Sequence, residues 1–156
     1  MLAPKSQRDP QRQVGVVVVE FTIVVALLIM LVMATAEFGR AFLQYNALSK
    51  AVRDAARYVA GRALVGSQGI VSVTPTMQTE AQNLVIYGNT FGAGAPLLPG
   101  LGPGDVTVID AGGGNIRVSA SYSYNPIFAF IPGFFYGGDT DVSGYTLPCA
   151  VTMRAL

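Results

Sequence analysis

The sequence predicts an α+β protein: a long amino-terminal helix, first transmembrane and then an amphipathic stalk, bearing a small carboxyl-terminal head of antiparallel β-sheet plus one short helix. Three observations predict it. Val16 to Ala36 is an apolar run whose only ionisable side chain is Glu20. The residues after it repeat apolar positions in steps of three and four, the spacing of one helical face. From Asp105 the period changes to two, the alternation of half-buried strands.

A chain of 156 residues supports one modest domain and an anchor rather than two independent cores. Charged residues make up 12% and apolar residues 51%, against roughly a quarter charged in ordinary soluble domains. The net charge of +1 is too small for a nucleic-acid surface, so no nucleic-acid partner is expected. There is no His, which removes Ser-His and Cys-His nucleophiles, His metal ligation and His proton shuttling. The single cysteine, Cys149, excludes an internal disulfide framework and a Cys-cluster zinc site. No catalytic residue, metal or cofactor is expected.

Residues 1–15 form a polar leader, 16–36 the transmembrane helix, 37–63 the stalk and 64–156 the head. The run VVVVEFTIVVALLIMLVMATA has about 21 residues, close to the ~20 needed to cross a ~30 Å hydrocarbon core. A cleaved secretory signal would be shorter and end at a small-residue cleavage site; polar helix follows here, so the run reads as a retained anchor in membrane lipid. Lys5, Arg8 and Arg12 on one side face Arg40, Lys50 and Arg53 on the other. Charge asymmetry alone therefore leaves the orientation close to a tie.

Glu20 carries the most information in this run. A carboxylate in mid-membrane costs about 2.5–3.5 kcal/mol on insertion scales, less near the interface. One account is that Glu20, a turn inside the boundary, snorkels to the headgroups. The other starts at Gly15: cutting the Gly15–Val16 bond gives Val16 a free α-ammonium and makes Glu20 the fifth residue of the shortened chain. The buried carboxylate then has a partner in the amino terminus of a neighbouring subunit, which offsets the desolvation of both charges.

Basic leader, Gly15, apolar run and Glu20 together resemble the prepilin signal, cleaved after the glycine by a membrane peptidase. The Glu20-Phe21 pair is similar to the Glu-aromatic pair of Flp pilins and TadE-like proteins. The stretch EFGRAFLQYNALSKAVRDAARYVAGRA, Glu37 to Ala63, resembles TadE-like minor pilins of the tight-adherence pilus more closely, through Glu37, Phe38, Gly39 and Arg40 and the Ala-Arg-Tyr pattern before Ala60. The strand running into Met153-Arg154 is also TadE-like. The resemblance implies a pilin-like fold and a structural role in pilus assembly and adherence. It implies cleavage between Gly15 and Val16, and assembly through Glu20 and Phe21. It also implies a prepilin peptidase, the major Flp pilin, other minor pilins and an inner-membrane assembly platform as partners. The amino terminus would then be cytoplasmic, and the head periplasmic or part of a surface pilus. A pseudopilin of a type II-like secretion system carries the same Gly-then-Glu signal, so Glu20 does not separate the two; Glu37–Ala63 favours TadE. A signal-anchored periplasmic enzyme or binding module finds no nucleophile elbow, paired carboxylates or metal constellation to support it.

Along the stalk, Phe38, Phe42, Tyr45, Leu48, Val52, Ala55 and Val59 share one face, with Gly61 and Gly66 as stops. A helix from Val16 to Ala60 would be about 68 Å long at 1.5 Å per residue. The lower half of the stripe is expected to face partners and the upper half the head. Glu37 and Arg40 are three apart on the helix, a spacing that permits an ion pair of small value when exposed.

In the head, Thr74 and Pro75 read as the N-cap and first residue of a helix ended by Gly88. Gly88 to Gly104 reads as a long loop. Its Gly100, Gly102 and Gly104 are no phosphate cradle, because Pro103 intervenes and a strand follows. Val106 and Val108 open a hairpin that turns at AGGGN and returns through Ile116, Val118, Ala120, Tyr122 and Tyr124 on one face. The last strand places Leu147, Cys149, Val151 and Met153 together, with Pro148 marking an edge. Cys149 reads as a small buried hydrophobe, with an intersubunit disulfide as the alternative. Between the last two strands, a loop bearing Phe128, Phe130, Phe134 and Phe135 must be covered by its own sheet, a neighbouring pilin or the membrane surface. Asp139 and Asp141 suggest calcium only weakly, since such carboxylates are ordinary turn residues.

Overall fold

The computed structural model describes residues 10–65, 70–127, 130–131, 140–141 and 144–156. The chain divides into two compact units, Met1–Gly39 and Arg40–Leu156.

The first unit holds the start of helix α1, Pro10–Ala60, which begins six residues before Val16. Proline suits that first turn, where a missing N–H is no loss. The helix is long and apolar enough to cross a membrane, and its most apolar window is not buried in the chain at all. Valines 16–19, Phe21, Leu27, Leu31 and Val32 all face outward, which costs little in lipid and much in water. The two hydroxyls of the run are satisfied locally: Thr22 Oγ1 donates to the Val18 carbonyl and Thr35 Oγ1 to the Leu31 carbonyl, each at 2.8 Å. A spanning helix meets its hydrogen-bonding needs within itself in this way.

In the second unit α1 continues to Ala60 and stops at Gly61. Its Leu48, Ala51, Val52, Ala55, Ala56, Val59 and Ala60 are buried. Against this face lies a three-stranded antiparallel sheet of order β3-β4-β7, formed by β3 (Val106–Gly112), β4 (Asn115–Ser123) and β7 (Thr146–Arg154). Strand β4 is central, pairing Val118 with Val108 on one side and Val151 on the other. Val106, Val108, Ile116, Val118, Ala120 and Tyr122 join the α1 face in one apolar core. Alternate side chains of β3 and β4 point away to solvent, as their period of two requires. The β3–β4 turn needs its glycines: Gly112, Gly113 and Gly114 have φ of 79°, 61° and 78°, where other residues are strained.

Helix α2 (Pro75–Tyr87) completes the core with Ala81, Val85 and Ile86. Thr74 caps it by accepting from the Met77 N–H, and Gly88 closes it in the left-handed conformation, donating to the Leu84 carbonyl. Pro148 lies on β7, an edge strand, where its missing donor is tolerated. The ends of the unit are tied: Leu156 N–H donates to the Ala60 carbonyl at 2.9 Å, and Ala155 N–H to the Gly114 carbonyl at 2.8 Å.

Some elements depart from the sequence expectation. A hairpin of β1 (Leu64–Val65) and β2 (Ile70–Val71) follows the stalk, too short to show a period. Pro103–Asp105 is a 3-10 turn before β3; there the Asp105 carboxylate accepts from the Gly102 N–H at 2.8 Å, so an acid occupies the place a phosphate would need. The apolar segment expected as a loop includes β5 (Phe130–Ile131) paired with β6 (Thr140–Asp141). Phe128, Phe134, Phe135 and Asp139 lie outside the described residues. Asp141 is in a strand, and no group of three potential metal ligands occurs among the described residues.

Candidate functional site

Gly15, Val16, Glu20 and Phe21 lie within about two turns of α1. Val16 and Glu20 are four apart and so share a face. All four are exposed. A Cβ built on Gly15 meets nothing within 4 Å, so the chain's own packing does not require glycine there. Glycine in a helix interior costs about 0.5–1 kcal/mol relative to alanine, which leaves the Gly15–Val16 bond in a weak stretch of helix.

The second group surrounds the EFGR motif. Phe38 is exposed, and a Cβ on Gly39 would likewise meet nothing within 4 Å. Arg40 reaches across the head. Its guanidinium carbon lies 5.1 Å from the centroid of the Tyr124 ring, and its Nη2 donates to the Asn125 carbonyl at 2.6 Å. Cation–π attraction and a charge-assisted hydrogen bond together fix the residues just after β4 to the stalk. The residue expected at most to pair with Glu37 therefore also organises tertiary structure.

At the far end of the stalk, Tyr58 Oη donates to Glu80 Oε2 at 2.6 Å, while Arg62 donates to Tyr58 Oη and lies 3.8 Å from Glu80. The Arg62 guanidinium also stacks 4.3 Å from the Tyr58 ring centroid. This cluster joins α1 to α2. Only the Tyr58–Arg62 spacing of four was readable in the sequence; Glu80 had no signal. The Tyr58 pKa is raised, chiefly by its hydrogen bond to Glu80 and then by burial, with Arg62 opposing. A raised folded pKa means the neutral phenol is the stabilising form. Its contribution is complete below the unfolded value of about 10 and is lost as pH climbs through the higher folded value. In an alkaline titration followed by phenolate absorbance, subtracting the Tyr58→Phe variant should show Tyr58 ionising above the ordinary tyrosine range; ionisation at or below it would contradict the Glu80 hydrogen bond.

Cys149 is half-buried, its Sγ 3.5 Å from Ser49 Oγ on the stalk. The polar face of the sheet forms an open groove of about 520 Å³ lined by Thr107, Arg117, Ser119, Ser121 and Pro148. Asp105, whose carboxylate accepts from the Gly102 N–H, and Cys149 also line it.

The architecture defines a class: an α+β head on a helix capable of a single membrane crossing. Residues 15–57 match the family model of TadE-like proteins, which bears out the resemblance drawn from Glu20-Phe21 and Glu37–Arg40. The match covers 43 of the chain's 156 residues, all of them on α1. It takes in both candidate groups and ends just before Tyr58. No curated protein and no solved structure matches the chain.

Proposed function

We propose that the chain is a minor pilin of a tight-adherence pilus. A prepilin peptidase cleaves it between Gly15 and Val16, and it then assembles with the major Flp pilin and other minor pilins, through an inner-membrane platform, into the filament or at its base or tip. The leader faces the cytoplasm and the head the periplasm. One observation carries this reading: the apolar run's one carboxylate, Glu20, lies five residues beyond Gly15 in an exposed helix long and apolar enough to cross a membrane, whose sequence matches the TadE-like model. Cleavage creates the positive charge that such a carboxylate needs, in the α-ammonium of Val16 on an adjacent subunit.

The steric freedom at Gly15 makes the test clean. A Gly15→Leu variant fits the helix, so its effect reports on the peptidase and not on folding. Intact-mass measurement of protein extracted from membranes should find Val16 as the first residue of the native chain and Met1 as the first residue of the variant. Native protein that begins at Met1, or a variant processed like the native chain, would overturn the proposal.

A further inference from the structure

The inference that follows rests on the reading of residues 16–36 as membrane-spanning. Arg40 comes four residues after Ala36, the last of the apolar run. Chain reach alone keeps it within about 14 Å of that point, and a continuous helix brings it within about 6 Å. The residues that Arg40 holds are therefore close to the membrane boundary. It grips Tyr124 and Asn125, and the Tyr124 N–H donates to the Tyr145 carbonyl at 2.8 Å. Ile127, two residues beyond Asn125, is 68% exposed and Tyr145 is 60% exposed. On the helix beside Arg40, Phe42 and Leu43 also face outward, and no charged side chain occurs between Arg40 and Lys50.

Aliphatic side chains, a phenol and a guanidinium at this depth make up the composition of a membrane–water interface. Tyrosine is enriched at headgroup level, and arginine keeps its charged end in the polar layer while its stem covers apolar surface. We propose that this rim of the head, Ile127 and Tyr145 with Phe42 and Leu43, rests in the headgroup layer of the membrane that α1 crosses, and that Arg40 holds it there. Before assembly the head is thereby docked on lipid. A protein partner would cover the same side chains differently, and the experiment separates the two.

The chain has no Trp, so each single-tryptophan variant reports one position. The full chain is reconstituted into vesicles of phosphatidylcholine and phosphatidylglycerol brominated either near the headgroup or deep in the acyl chains. Ile127→Trp and Tyr145→Trp should show blue-shifted emission and lose intensity with the shallow bromines. Leu156→Trp is the control. Leu156 is 83% exposed and tied to Ala60, about 30 Å along α1 from Arg40; its emission should stay red and unquenched. Leu28→Trp, in the middle of the run, should be quenched by the deep bromines. If Leu28→Trp is quenched while Ile127→Trp and Tyr145→Trp behave like Leu156→Trp, the docking proposal is overturned and the membrane span stands. Blue-shifted but unquenched emission at 127 and 145 would place protein on the rim and also overturn it. An unquenched Leu28→Trp would remove the span, and the docking with it.

Discussion

Replacing Glu20 with alanine is expected to leave the chain inserted in the membrane and to remove it from the filament. Insertion should improve slightly, because a carboxylate costs at most about 2.5–3.5 kcal/mol, the mid-membrane figure, and less a turn inside the boundary where Glu20 lies, while alanine costs none. Assembly should fail for the opposite reason. If pairing with a neighbour's Val16 ammonium offsets a cost of that size, its loss corresponds to at most about 10²-fold less incorporation, at 1.4 kcal/mol per factor of ten. Two further variants resolve the chemistry. Glu20→Gln keeps the shape and a hydrogen-bond acceptor but not the charge, so it should fail nearly as badly as alanine. Glu20→Asp keeps the charge on a shorter stem and should retain part of the function. The measurement compares the membrane fraction with sheared pili by immunoblot. Normal incorporation of the glutamine variant would mean that charge pairing does not drive assembly.

The sequence showed some of this clearly, for physical reasons that differ from element to element. The long apolar helix was plain because a run without polar residues has no alternation to disguise it. The α2 cap was legible because Thr74 and Pro75 act on their own backbone, and the β3–β4 hairpin because three left-handed glycines leave few other readings. The stalk stripe was right as a face and less informative about what covers it. Phe38, Phe42 and Tyr45 stand in register with Leu48, yet they are exposed while Leu48 is buried. Periodicity records which side is apolar, and whether lipid, a partner or the head lies against it is decided by tertiary structure. Contacts between distant residues left no trace. Arg40 finds the Asn125 carbonyl 85 positions away, and any residue type at 125 offers a carbonyl. Tyr58 finds Glu80 through the placement of α2, which no local pattern encodes. Strands of two residues, as in β1, β2, β5 and β6, are below the length at which alternation can be read.

The largest effect on the head's stability should come from Ile116. It lies on the central strand, fully buried, paired with Asp110 on β3 and Met153 on β7. Truncation to alanine removes three carbons from a site enclosed by strands on both sides and the core beneath, so little collapse can fill the space. Such a change costs about 2–5 kcal/mol, a large share of the roughly 5–15 kcal/mol that holds a domain together. In urea, at an m-value of about 1–3 kcal/mol/M, the midpoint should fall by about 2 M. Ile109 is an internal reference, because it sits on β3 only a few residues away yet is 46% exposed. Ile109→Ala should cost at most about 1 kcal/mol, mostly through lost strand propensity. Ile116→Val should fall between the two, near 1 kcal/mol. The comparison is made on the full chain in detergent, following the head's near-ultraviolet circular dichroism. Equal losses for Ile116→Ala and Ile109→Ala would mean that β4 is not the centre of the packed sheet, and that the face Arg40 and Tyr58 hold against the stalk is not the core of the head.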